Sequence, residues 1–225
     1  MAKRFLKLRL VFNTLSKCKQ LSITFWFLAA YFVYSDGVST LASVAVLFAR
    51  EELEMSDQEI IILAIIVPFC ALIGNLFFVQ VQHFFNWRTK NVLVFQLVVM
   101  SFVPAYALLG LFNSTFGLRQ KWEIYTTTCI FGFFMGAIHS YSRACFSELV
   151  PHGEESEFFS LYAITDKGSA WIGPMLVAAV TNTTRQIRSG MFVILIMILL
   201  PLPILLKVDT RKGRIAASEY SRLED

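Results

Sequence analysis

The stretch "FVYSDGVST", residues 32–40, sets Asp36 and Gly37 inside a long apolar run. An ionised aspartate at the centre of a membrane helix costs about 2.5–3.5 kcal/mol on insertion scales. It persists there only where it faces a bundle interior, a counter-charge or water. The surrounding chain says which kind of bundle is at hand. The protein has 225 residues, 56% of them apolar and 16% charged, with 22 Phe. Soluble domains carry about 25% charged residues. The charges here collect in tails and short connections between apolar runs. Lipid imposes that segregation, because each crossing segment must satisfy its own backbone as a helix. The net charge of +4 therefore gives no ground for a nucleic-acid partner, and the first partner is the lipid bilayer.

The apolar runs predict an all-α polytopic membrane protein with six transmembrane helices, over 21–48, 59–82, 91–112, 123–148, 157–181 and 187–207. The corresponding division is a basic cytosolic tail (1–20), a six-helix domain (21–207) and a cytosolic C-terminal tail (208–225). The basic start "MAKRFLKLRLVFNTLSKCK" precedes an apolar run too long for a signal-peptide core and lacks a small-residue cleavage site. The first span is therefore expected to act as its own insertion signal. Lys and Arg set the orientation. Thirteen fall on the side of the two tails and five on the other, which predicts cytosolic termini. The sequons at Asn113 and Asn182 fall on the opposite side, as glycosylation would require.

Polar residues sort the spans. The third and sixth hold no ionisable residue in their cores, whereas the first holds Asp36, the fourth His139 and Arg143, and the fifth Asp166 and Lys167. Helices with charges must turn them inward, so spans 1, 2, 4 and 5 are expected inside and spans 3 and 6 outside. Asp36 lies 15 residues after Leu21, near the bilayer midplane at about 1.5 Å per residue. His139, Asp166 and Lys167 fall at similar depth. Asp36, Ser39, Thr40 and Ser43 share a helical face, as do Gly132, Gly136, His139, Ser140, Arg143 and Ser147 on the fourth span. Asp36, Ser39, Thr40, His139, Arg143, Asp166 and Lys167 are thus the candidates for a substrate or ion pathway at the depth where transporters place their central sites. Lys167 or Arg143 is the expected counter-charge for Asp36.

Plainer readings stand beside this one. The glycines are what close helix packing in lipid requires. An Asp36–Lys167 pair can be purely structural, and Arg143 can reach Glu148 or the headgroups. Four cysteines with no paired spacing and no His/Cys cluster suggest neither a metal nor a cofactor, and no nucleophile–base pattern suggests an enzyme.

"YFVYSDGVSTL", "SYSRACFSELVPHGEESEFFSLYAITDKGSAWIGP" and "PLPILLKVD" resemble the vacuolar amino-acid effluxers related to autophagy protein 22, a branch of the major facilitator superfamily. The matching positions are Asp36, Gly37, Ser142, Arg143, Asp166, Lys167, Gly173 and Pro174. The resemblance implies the C-terminal half of a twelve-helix bundle in the vacuole membrane that releases amino acids to the cytosol after autophagic breakdown. It also implies that the third helix of each three-helix unit is peripheral. Asp36 is the expected protonatable group, which makes protons an expected coupling partner. The connection "HFFNWRTKN" lacks the Gly-x-x-x-Asp pattern common in that superfamily. The family's first half is missing before Met1, so the expectation is a fragment, a half-transporter that pairs with a second copy or a separate half, or a scaffold subunit that no longer transports.

Overall fold

The computed structural model describes residues 21–111 and 117–224. All regular elements among them are helices: α1 (Ser22–Glu51), α2 (Asp57–Phe85), α3 (Thr89–Leu109), α4 (Lys121–Ser147), α5 (Glu155–Ser169), α6 (Ile172–Thr184), α7 (Ile187–Leu199), α8 (Leu202–Lys207) and α9 (Thr210–Glu224). The expected all-α class is what the structure shows. The basic tail, Cys18 and the Asn113 sequon lie outside the described residues.

Four segments are long and apolar enough to cross a bilayer: α1, α2, α3 and the run from Ile187 to Lys207. The fourth expected span is a helix of 27 residues, but His139, Arg143 and its Thr and Ser residues make it too polar to join them. The fifth expected span is two helices, broken at Ala170–Trp171. Pro174 explains the break: it has no N–H for the carbonyl of Ala170, and its ring crowds that carbonyl. Pro201 and Pro203 interrupt the last span in the same way, between α7 and α8. Pro68 and Pro104, by contrast, lie inside continuous helices.

α1 is the hub of the bundle, packed on α4, α5, α6, α7 and α8. Its aromatic face joins Phe27 to Phe146 and Tyr31 to Tyr162, ring centroids 6.2 and 4.1 Å apart. α2 packs on α4, and α3 lies against α4, α7 and α8. Among the contacts this chain makes with itself, the expected sorting into inner and outer spans is not seen. Only 17% of the most apolar stretch of α2 is buried, against 50% for α3. Lipid tails are as apolar as a core of Leu and Val, so the lack of charge on α3 suits an interior place as well as a peripheral one.

Polar contacts tie the two ends of the bundle. At one end Lys121 Nζ sits 2.8 Å from Glu59 Oε1, and Glu59 also closes a capping box with Ser56 at the start of α2. At the other, Thr89 Oγ1 donates to Glu148 Oε1 at 2.8 Å, and Lys90 Nζ donates to the Val208 carbonyl at 2.7 Å. In the connection before α5, backbone N–H groups, that of Gly153 among them at 3.0 Å, hold the Glu155 carboxyl below its usual range. The segment after residue 207 forms α9, whose Gly213 lies against Leu149 and Ile23.

Candidate functional site

The polar residues of α1 meet the broken α5–α6 helix along one seam. Tyr31 and Ser35 are four residues apart, so both hydroxyls reach the same side of α1. They donate to Asp166 Oδ1 at 2.7 and 2.9 Å. Asp36, rotated by one residue, points instead at the break. Its Oδ2 accepts the backbone N–H of Gly173 at 2.6 Å. Gly173 stands in the first turn of α6, where N–H groups have no partner within the helix, and α6 has no side-chain cap of its own. A carboxylate from α1, 137 residues away in sequence, thus caps α6 and complements the positive end of its dipole. The contact requires glycine, because a Cβ at position 173 would overlap Thr40 Oγ1.

Asp36 is 2% exposed and Thr40 1% exposed. Asp36 Oδ1 and Thr40 Oγ1 are both buried, and neither makes a hydrogen bond. The expected pairing of Asp36 with Lys167 or Arg143 is overturned. Lys167 Nζ lies 3.4 Å from Asp166 Oδ2, with 86% of its side chain exposed. Arg143 is exposed and makes no hydrogen bond or ion pair among the described residues; Glu148, its other expected partner, is taken by Thr89. A neighbouring main-chain amide, and not a side-chain cation, holds Asp36.

The candidates divide accordingly. Asp36, Thr40 and Asp166 are gathered at the seam. His139 is half-buried on α4, within electrostatic reach of Asp166, Arg143 and Lys167. Ser39 and Ser43 are exposed, so only part of the predicted α1 face turns inward. Three residues escaped the sequence reading: Tyr31, Ser35 and Tyr34, the last donating to Ser142 Oγ at 2.8 Å. Their signal was present, since a tyrosine hydroxyl in mid-span must find a partner.

A second cluster, also unforeseen, closes one end of the bundle. Arg188 at the start of α7 has 7% of its side chain exposed and meets Glu52 Oε2 at 3.3 Å. It also donates to the carbonyls of Gly117 and Leu118 and lies over the Phe48 ring. No group of three metal-ligating side chains occurs among the described residues.

Apolar crossing helices with carboxylates and hydroxyls gathered between them define a helical membrane protein with a polar interior seam. The chain belongs to the family described as vacuole effluxer Atg22 like, whose family model matches residues 5–218. It is 35% identical over 214 residues to autophagy-related protein 22 of Saccharomyces cerevisiae, covering 95% of this chain and 40% of that protein. It is 36% identical over 206 residues to autophagy-related protein 22-1 of Penicillium rubens, covering 90% and 35%. With autophagy-related protein 22 of Coccidioides immitis the identity is 37% over 214 residues, covering 93% and 36%. The chain therefore spans well under half the length of these relatives. No solved structure matches it.

Proposed function

We propose that the chain forms one half of a facilitator-type transporter in the vacuole membrane. It crosses the bilayer six times with both termini in the cytosol and releases amino acids to the cytosol after autophagic breakdown. Contacts at the two ends support six crossings, because Glu59 with Lys121 and Glu52 with Arg188 mark one end and Thr89 with Glu148 the other. The observation that carries the transport reading is the seam of α1 with the α5–α6 break. Discontinuous helices whose ends meet polar groups are how transporters build binding sites at mid-membrane depth.

In this reading Asp36, Ser39, Thr40, His139, Arg143, Asp166 and Lys167 border the pathway, and Asp36 is the protonatable group. Asp36 Oδ1 and Thr40 Oγ1 are both buried without a hydrogen bond, and a proton on Asp36 removes the charge that burial disfavours. Loss of that proton leaves a buried charge beside the Gly173 amide and favours movement at the break. The other wall of the cavity comes from a second copy or a separate N-terminal half. Release of radiolabelled amino acids from vacuoles of cells lacking their own family member tests the reading. The chain, with its complementing half, restores release that varies with pH. Replacing Asp36 with Asn leaves the chain in the membrane and abolishes the pH dependence; unchanged release with unchanged pH dependence removes the proton role.

A further inference from the structure

One polar surface is left over once the seam is accounted for. On α4, Gly136, Ser140, Arg143 and Ser147 follow one another at spacings of four, three and four, a single helical stripe. With His139 and with Phe159 from α5 they line a groove of about 410 Å³, within the roughly 300–1,000 Å³ of small-molecule sites. Neither Arg143 nor His139 has a hydrogen-bond or ion-pair partner among the described residues. The acids nearby are committed: Glu148 to Thr89, and Asp166 to Tyr31, Ser35 and Lys167. A guanidinium on a membrane helix does not rest against acyl chains, so this groove faces water or a ligand.

We propose that this groove binds the α-carboxylate of the transported amino acid, with Arg143 as its bidentate donor. The proposal rests on the transport reading above and adds which end of the substrate this half recognises. Arg presents a planar fork that matches a carboxylate, and the lining offers no free acid for an ammonium group. A lipid phosphate shares the oxyanion chemistry, but it would need only the outer end of the groove. The polar lining instead continues a turn deeper, through Ser140 and His139. The ammonium end is then met by the opposite wall.

The test is binding to the purified full chain, followed by thermal stabilisation, using leucine and leucinamide, which lacks the carboxylate. The chain binds leucine at least tenfold more tightly than leucinamide. Arg143→Gln loses that preference, and Arg143→Lys keeps part of it. Because Arg143 is exposed, both variants retain the parent's melting temperature without ligand. Equal binding of the two ligands, a preference that survives in Arg143→Gln, or no binding of either overturns the proposal. So does stabilisation that depends on phosphatidylglycerol and ignores leucine. Amino-acid release without carboxylate preference removes this site and leaves the transport reading standing; preference without release does the reverse.

Discussion

The α2–α4 seam and the seam of α1 with α5 and α6 belong to one bundle and share almost no chemistry. Between α2 and α4 the backbones nearly touch. A Cβ on Gly74 would overlap the Phe133 carbonyl, one on Gly132 would come within 2.7 Å of Val67 O, and one on Gly136 within 2.8 Å of Ala71 O. The polar contacts of that seam sit at its ends, Lys121 with Glu59 and Tyr141 with Gln82. Along α1 the helices are joined by side chains, Tyr31, Ser35 and Asp36. Backbone contact leaves one packing arrangement. Side-chain hydrogen bonds can be exchanged for others, and two buried oxygens still lack a partner. The first seam is held by backbone contact, and the second by side-chain hydrogen bonds.

The contrast breaks most easily at its rigid side. Gly74→Ala should lower stability by about 3 kcal/mol, the upper end of overpacking costs, because the obstacle is main chain. Gly168→Ala is the control, since nothing lies within 4 Å of its added methyl. Melting temperatures in detergent compare the two, and equal values would mean that the close approach of α2 and α4 matters little.

At the polar seam Asp36→Ala leaves the Gly173 amide buried and unpaired, a loss of about 2 kcal/mol. Asp36→Asn keeps a carbonyl oxygen for that amide and should retain most of the stability. Equal losses in the two variants would show that residue 36 does not cap α6. Tyr31→Phe and Ser35→Ala each remove one donor from Asp166, for about 1.5 kcal/mol apiece. Both donors share Oδ1, so a double-mutant cycle should show them coupled. Strict additivity would argue that they act on separate groups.

Some of this was legible in advance. Asp36, Asp166 and Lys167 announce themselves as ionisable groups in apolar runs, and the prolines mark where helices can break. Which prolines break a helix was not legible, because Pro68 and Pro174 look alike along the chain. The pairing of Asp36 was misread for a related reason. A side-chain cation is visible in sequence, whereas an amide becomes a donor only once its helix has been interrupted. The packing of α3 against α4 and α7 was not legible either, because hydropathy does not distinguish lipid from protein interior.

Sequence alone determined the all-helical class, the membrane setting and the residues that cannot face acyl chains, since each follows from transfer costs counted along a single segment. Tertiary structure decided who meets whom: Asp36 with an amide, Asp166 with two hydroxyls, Arg143 with an open groove. Those choices depend on the rotation and separation of neighbouring helices, which are set by packing between segments far apart in the chain.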